Sequence, residues 1–522
     1  MMLLSKILRI GCRALMASAL LAVAVDGKAD LPLDYHVSVA AQGSSESLAP
    51  YMLGSWNEGR YVEGSGIWQE AGISKALDAD RRFSWSAGVD YILGYGSKTD
   101  YDRWNLESET WSPHAAKMPV IRLTQLYAKV KYRSVFLTAG MKNEGSFLLD
   151  DALSSGDLTR SNNAAAIPGV AIGFLDFVDI PFTKGWVQIN GEIMYGRMLD
   201  SGFKENEFNY FSGVRTMNLW YNYKRCYFRT NPEKPFHVTV GMQAAGMFGG
   251  SSFYYQKGKR IDAIVRGFRV KDALQMLFPR EGGEDYYTGS HLGSWDLKAT
   301  YRLKDGSDVS AYFEWPWEDG SGIGRANGWD GLWGVQYNFA RKGIVSKAVV
   351  EYLDFTNQSG PIHYAPHDHP NNCLTGHASG ADDYYNNDDY GAYTNYGMGI
   401  GTPFLKAPIY NRTGALGYLN NRARGFHAAV EGNPSDRWSY RAMVGYQVAG
   451  GNGWVPVPRR LHCTSAMLEA KVSPLRNLPG FEIDARMAFD AGSLRGDNFG
   501  ARVRLSYTGD FSIKGKKSSQ HK

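Results

Sequence analysis

The densest chemistry in this 522-residue chain lies in YYNNDDYGAYTNY, residues 384–396. Tyr384, Tyr385, Tyr390, Tyr393 and Tyr396 are interleaved with Asn386, Asn387, Asp388 and Asp389. Flat rings cover the C–H faces of a sugar, and short carboxylates and amides take paired hydroxyls, so this mixture suits carbohydrate recognition. The candidate polysaccharide-binding residues are Tyr384, Tyr385, Asp388, Asp389, Tyr390, Tyr393 and Tyr396. The same composition suits a loop that folds on itself as a cap, and the two readings are compatible.

Other chemistry is thinner. HYAPHDH (363–369) sets His363, His367 and His369 at a spacing that zinc can use, but no second cluster supports it. Neither metal nor cofactor is expected. Asp150-Asp151 and Ser154-Ser155-Gly156-Asp157 offer hydroxyls and carboxylates. They have no nucleophile elbow or paired histidine, so the chain is not expected to be an enzyme. FRVKDALQMLFP (268–279) spaces Val270, Ala273, Leu274, Leu277 and Phe278 as an amphipathic helix, stopped by Pro279. The expected place for that helix is a rim or mouth, with partner binding as its second reading.

The elements that carry these loops have a period of two. In SWDLKATYRLKDGSDVSAYFEWPW (294–317), Trp295, Leu297, Ala299, Tyr301 and Leu303 alternate with Asp296, Lys298, Thr300 and Arg302. The alternation resumes after Asp305-Gly306, the dipeptide of a tight hairpin. Similar runs at 83–95, 437–447 and 481–490 bring the candidate strands to eighteen between residues 34 and 509. Each is about ten residues, the length a tilted strand needs to cross a bilayer.

The connections alternate as well. DADRR (78–82), NPEKP (231–235), KDGS (304–307), ARKG (340–343) and GNPSD (432–436) are short. The stretches 96–120, 143–165, 198–214, 247–291, 316–330, 356–421 and 448–462 are long. Short turns at one end and long loops at the other mark an up-and-down transmembrane barrel, with the greasy face toward lipid and the charged face toward the lumen. The expected fold is thus an all-β, antiparallel β-barrel of about eighteen strands.

The two ends of the chain are basic. Lys6, Arg9 and Arg13 precede the apolar run ALMASALLAVAV (14–25), followed by small residues, so residues 1–29 read as a secretory signal peptide. Lys514, Lys516, Lys517 and Lys522 mark 512–522 as a basic periplasmic tail, leaving 30–511 as the barrel. With a formal charge of +5 held mostly at those ends, the body is close to neutral, which argues against nucleic acid. Cys226, Cys373 and Cys463 are too few to staple so long an exported chain; one bridge is possible and none is required.

Several segments resemble one family. LSSGDLTRSNNAAAIPGVAIGFLDFVDIPFT (153–183), GIWQEAGI (66–73), WYNYKRCYFRT (220–230), GMQAAGMFGG (241–250) and YNNDDYGAYTNYGMGIGTPF (385–404) are similar to the Wzi family of outer-membrane capsule-assembly proteins, its Bacteroides-type members most closely. These segments span nearly all of the chain beyond the signal peptide. The resemblance implies an eighteen-stranded barrel and a non-enzymatic lectin that attaches or assembles capsular polysaccharide at the cell surface. Better-studied members carry an N-terminal helical bundle that plugs the periplasmic mouth; too few residues precede the strands here for one. The implied partners are capsular polysaccharide and outer-membrane lipid, lipopolysaccharide included, with the chain acting as a monomer in the outer membrane. The alternative function is a porin-like channel for sugars or oligosaccharides.

Overall fold

The computed structural model describes residues 31–277, 289–318, 320–361, 363–364, 378–475 and 478–513. Eighteen strands form one closed antiparallel wall. In chain order the first six are β1 (Leu31–Ser44), β2 (Gly66–Lys75), β3 (Phe83–Gly96), β4 (Ile121–Tyr132), β5 (Val135–Met141) and β6 (Gly169–Phe174). Next come β7 (Val187–Arg197), β8 (Trp220–Thr230), β9 (Phe236–Phe248), β10 (Ser290–Arg302), β11 (Asp308–Trp317) and β12 (Gly331–Asn338). The last six are β13 (Lys347–Asp354), β14 (Ala423–Ser435), β15 (Trp438–Gly451), β16 (Pro456–Val472), β17 (Phe481–Ala491) and β18 (Asn498–Ile513). Each pairs with its predecessor, and β1 closes on β18 from Leu31↔Ile513 to Ser44↔Gly500, which leaves the wall without an edge.

The period-two reading holds on both faces. On β10, Trp295, Leu297 and Tyr301 are exposed on the outside, while Asp296 on the inside is only 2% exposed. Gly306 takes a positive φ of 89° in the Asp-Gly turn, a conformation that glycine adopts without strain. Val240, Val335, Val350, Phe426, Val444 and Val503 continue the exposed apolar surface around the wall, as a bilayer-covered band requires. Among the described residues no helix is long and apolar enough to cross a membrane.

The inner face carries paired charge. Glu469 receives Lys471 at 2.8 Å and Arg486 at 3.2 Å and also pairs with Arg441. Asp484 meets Arg486 at 3.2 Å, and Glu192 meets Arg225 at 2.7 Å. Out of water such carboxylates persist because each has a partner within reach.

Three sequence expectations shift. The long connection expected at 448–462 is mostly strand, since β15 and β16 extend until Gly451 pairs with Pro456. The expected loop 96–120 contains a hairpin, Thr99–Asn105 with Thr110–Ala116. β18 runs to Ile513, two residues into the expected tail. Residues 1–29 and 514–522, with Cys373, His367 and His369, lie outside the described residues. Cys226 and Cys463 are both free.

Candidate functional site

Three long loops enter the lumen and meet there. Residues 142–168 cross it from one wall to the opposite one. The Arg160 guanidinium pairs with Glu192 on β7 at 3.1 Å, and Gln243 on β9 donates to Asp157 at 2.8 Å. The Leu158 N–H donates to Glu314 on β11 at 2.8 Å. Glu351 on β13 accepts from the Ser154 hydroxyl at 2.8 Å and the Ser155 N–H at 2.7 Å. Arg441 on β15 donates to the Ala152 carbonyl at 2.7 Å. Strands up to eight apart along the wall, from β7 to β15, are thus bridged by one segment. Residues 154–157, whose hydroxyls and carboxylate are not expected to be catalytic, are the middle of this bridge: Ser155 and Asp157 are fully buried, and Asp157 accepts from Ser146 and Gln243.

The second loop, 45–65, packs beside the first. Its short helix α1 (Tyr51–Gly54) is wholly buried, and the Tyr51 N–H donates to Asp490 on β17 at 2.7 Å. The N–H groups of Glu58 and Gly59 donate to the carbonyls of Asn162 and Asn163 at 2.9 and 2.8 Å.

The third loop, 380–422, lies over both and contains the candidate sugar-binding residues. The Asn163 amide donates to the Gly399 carbonyl at 2.9 Å, and the Thr402 hydroxyl to the Ser155 carbonyl at 2.8 Å. Tyr384, Tyr385, Tyr390 and Tyr393 are buried, in one apolar cluster with Tyr221, Phe355, Phe404 and Tyr418. Their hydroxyls point into protein. The Tyr393 hydroxyl donates to the Thr159 carbonyl at 2.9 Å and that of Tyr385 to the Leu158 carbonyl at 2.5 Å. The Tyr384 hydroxyl donates to Asp330 at 3.1 Å and accepts from Asn327 at 2.9 Å. Burial pushes the Tyr384, Tyr385 and Tyr393 phenols well above their ordinary range and the Asp330 carboxyl up to about 6. Asp389 pairs with Arg266 at 2.7 Å. Of the seven candidates, only Asp388 is exposed; Asp389 and Tyr396 are half-buried.

This geometry is the cap weighed beside sugar contact. A buried tyrosine with a satisfied hydroxyl offers no ring face to a sugar, so in this closed state the four tyrosines hold the lid together. Between the plug and β5–β7 a cleft of about 70 Å³ remains, lined by Lys142, Glu144, Arg160, Glu192 and Tyr221, with room for a few waters.

The aromatic surface that sequence reasoning missed stands above the lid. Trp104 and Trp111 face each other across the 99–116 hairpin, with ring centroids 5.5 Å apart, and Phe211 lies 5.0 Å from each. Arg103 stacks over Tyr210 at 5.2 Å. The Trp111 ring is 48% exposed. Two tryptophans flanking NLESET were the available signal, obscured by Pro113 in the second arm, which demotes a strand reading.

A buried acid sits beneath this cluster. Helix α2 (Ser201–Glu207) ends on Glu207, which is 1% exposed and whose carboxylate oxygens meet no hydrogen-bond donor. The neighbouring Lys204 is drawn to Asp200, at 3.2 Å. Burial first, then the Asp200 charge, pushes the Glu207 carboxyl up to about 8. An unfolded glutamate titrates near about 4.3. The folded chain therefore holds this proton more tightly, and the associated stability falls as pH rises through that window and is lost above about 8. Glu207→Gln is expected to melt like the parent at pH 4 and to be more stable at pH 9, by on the order of a few kcal/mol. Melting curves at the two pH values check this; equal curves at pH 9 would contradict it.

No protein-family model matches the chain, and no curated protein matches it. Solved structures do. Wzi of Escherichia coli, an outer membrane protein involved in group 1 capsule assembly and described as a carbohydrate-binding β-barrel, aligns with a TM-score of 0.52 at 12% identity. That alignment covers 90% of this chain and 83% of that one. Acinetobacter baumannii OccAB2 aligns with a TM-score of 0.46 at 9% identity, covering 92% of this chain and 98% of that one. Pseudomonas aeruginosa OccK3 gives 0.43 at 11%, covering 92% and 96%. Likeness at such identities speaks to fold and leaves function open. This chain has the fold of an outer-membrane β-barrel, with its lumen closed by its own long loops.

Proposed function

We propose that this protein holds carbohydrate chains, capsular polysaccharide in particular, at the outer surface of the barrel, without making or breaking bonds. The observation that carries this reading is the filled lumen. A diffusion channel needs a water path, whereas here segment 142–168 hydrogen-bonds to β9, β11 and β13 and two further loops pack on it. What the barrel then offers outward is a fixed platform, with the half-exposed Trp111 and Phe211 rings available for sugar C–H faces. Each such contact is weak, and a repeating polymer gains retention by avidity.

The test is the ratio of cell-bound to released capsular polysaccharide in a capsulated strain lacking this gene, restored either with the intact chain or with Trp111→Ala. Polymer is expected to move into the medium at unchanged total output in the deletion, to return to the cell with the intact chain, and to return only in part with the variant. An unchanged ratio on deletion would overturn the proposal.

A further inference from the structure

Most of the outward wall is apolar, yet near the long-loop end of β8 the outward positions include Asn222 and Lys224. Bilayer hydrocarbon does not accept such groups bare. The chain covers them itself. Leaving a hairpin at 250–266, it turns down outside the barrel, and the Phe268 ring packs tilted against Trp220, with ring centroids 4.6 Å apart. Helix α3 (Val270–Gln275) follows. The Tyr195 hydroxyl on β7 donates to the Ala273 carbonyl at 2.5 Å. The Lys224 amine donates to the Met276 carbonyl at 2.6 Å and to the Asn222 side chain at 3.0 Å. Gly246 on β9 permits this approach, since a Cβ there would lie 2.3 Å from the Met276 methyl. The helix expected at a rim or mouth is strapped to the outside of the wall.

The other side of this strap is unusual. Phe268, Val270 and Leu274 are exposed, the last two at 68% and 61%. Among them stand three exposed cations, Arg197, Arg269 and Lys271. The acid paired with Arg269, Asp272, is itself buried, at 2.8 Å. Water would leave the apolar side chains uncovered, and hydrocarbon would strip the cations. A second copy docked face to face would set cations against cations. The surface continues the lipid-facing band, with Ile193 and Phe228 exposed below it. An interface of acyl chains and anionic headgroups satisfies both kinds of side chain.

We infer that this shelf binds a phosphorylated, acylated glycolipid of the outer leaflet, with acyl chains against Phe268, Val270 and Leu274 and phosphate at Arg197, Arg269 and Lys271. The inference rests on the barrel lying in an outer membrane with its long loops outward, and not on what those loops hold.

Native mass spectrometry of the full chain in detergent tests it, with the diphosphorylated lipid A of lipopolysaccharide and its phosphate-free form as probes. The parent chain is expected to retain the diphosphorylated lipid under activation that strips the phosphate-free one. Arg197→Glu with Lys271→Glu is expected to weaken retention roughly tenfold or more. If circular dichroism shows that pair without a barrel, Lys271→Gln alone carries the comparison, with a smaller loss. Equal retention of both lipids, undiminished retention by the variants, or dimers cross-linking through Val270→Cys would each overturn it.

Discussion

A chain in which residues 145–165 are replaced by a short Gly-Ser linker conducts ions across a planar bilayer, where the intact chain passes no steady current. The expected rise is roughly tenfold or more, because a barrel of this strand number encloses a water-wide interior once its filling is gone. This segment matters more than its neighbours because it bonds both to the wall and to the other loops. It provides the carbonyls of Ser155, Leu158 and Thr159 that hold Thr402, Tyr385 and Tyr393. It also provides the Asn162 and Asn163 carbonyls that hold the 45–65 loop. A silent variant would mean that the two remaining loops close the lumen unaided. A steady current through the intact chain would mean that the plug undocks, and would revive the channel reading.

Asp157→Ala is expected to destabilise the plug by about 3–5 kcal/mol, one of the largest effects available to a single substitution in these loops. The Asp157 carboxylate is fully buried and accepts from Gln243 at 2.8 Å, the Ser146 hydroxyl at 2.9 Å, and the N–H groups of Thr159 and Arg160 at 2.8 and 2.9 Å. Removing it strands the Gln243, Thr159 and Arg160 donors away from water, each at a cost of about 1–3 kcal/mol, while the partly exposed Ser146 hydroxyl loses less, and the sum is moderated by local relaxation. Protease cleavage within 142–168 under native conditions is the readout. The wall, whose strands do not depend on Asp157, stays heat-resistant. Cleavage at the parent rate would show that the tyrosine cluster suffices to hold the plug.

The wall was legible because its signal is local. Alternation such as Trp295, Leu297 and Tyr301 against Asp296 and Lys298 places a residue on a face whatever its distant neighbours do. Fifteen runs were readable this way and three more, 121–132, 166–178 and 345–355, alternate poorly, yet each of the eighteen corresponds to one strand of the wall. Proline blurred the signal where it entered the ladder: Pro456 and Pro458 begin β16, so that end read as loop. The destination of each long loop was not legible. Tyr384 and Tyr393 have the same composition and spacing whether they face a sugar or the Asp330 and Thr159 oxygens beneath them. That choice depends on the width of a lumen assembled from strands hundreds of residues away. Likewise the 268–279 periodicity announced a helix, but only the bare glycine at 246 and the polar Asn222 and Lys224 placed it outside the barrel.

The seam between β1 and β18 constrains how such a molecule is made. Ser45 and Asn498 bond across it although they stand 453 residues apart. Closing so long a loop costs about 5 kcal/mol of chain entropy, and no early local pairing offsets it. The last ladder to form is therefore the first with the last. Until it forms, the growing sheet presents two open edges, each able to recruit a foreign strand. The Asp490 anchor of α1 lies on β17, late in the chain, so the lumen cannot finish filling until synthesis is nearly complete. Assembly is thus an end-loaded process, in which damage to the final strands costs the whole molecule and not just its last hairpin.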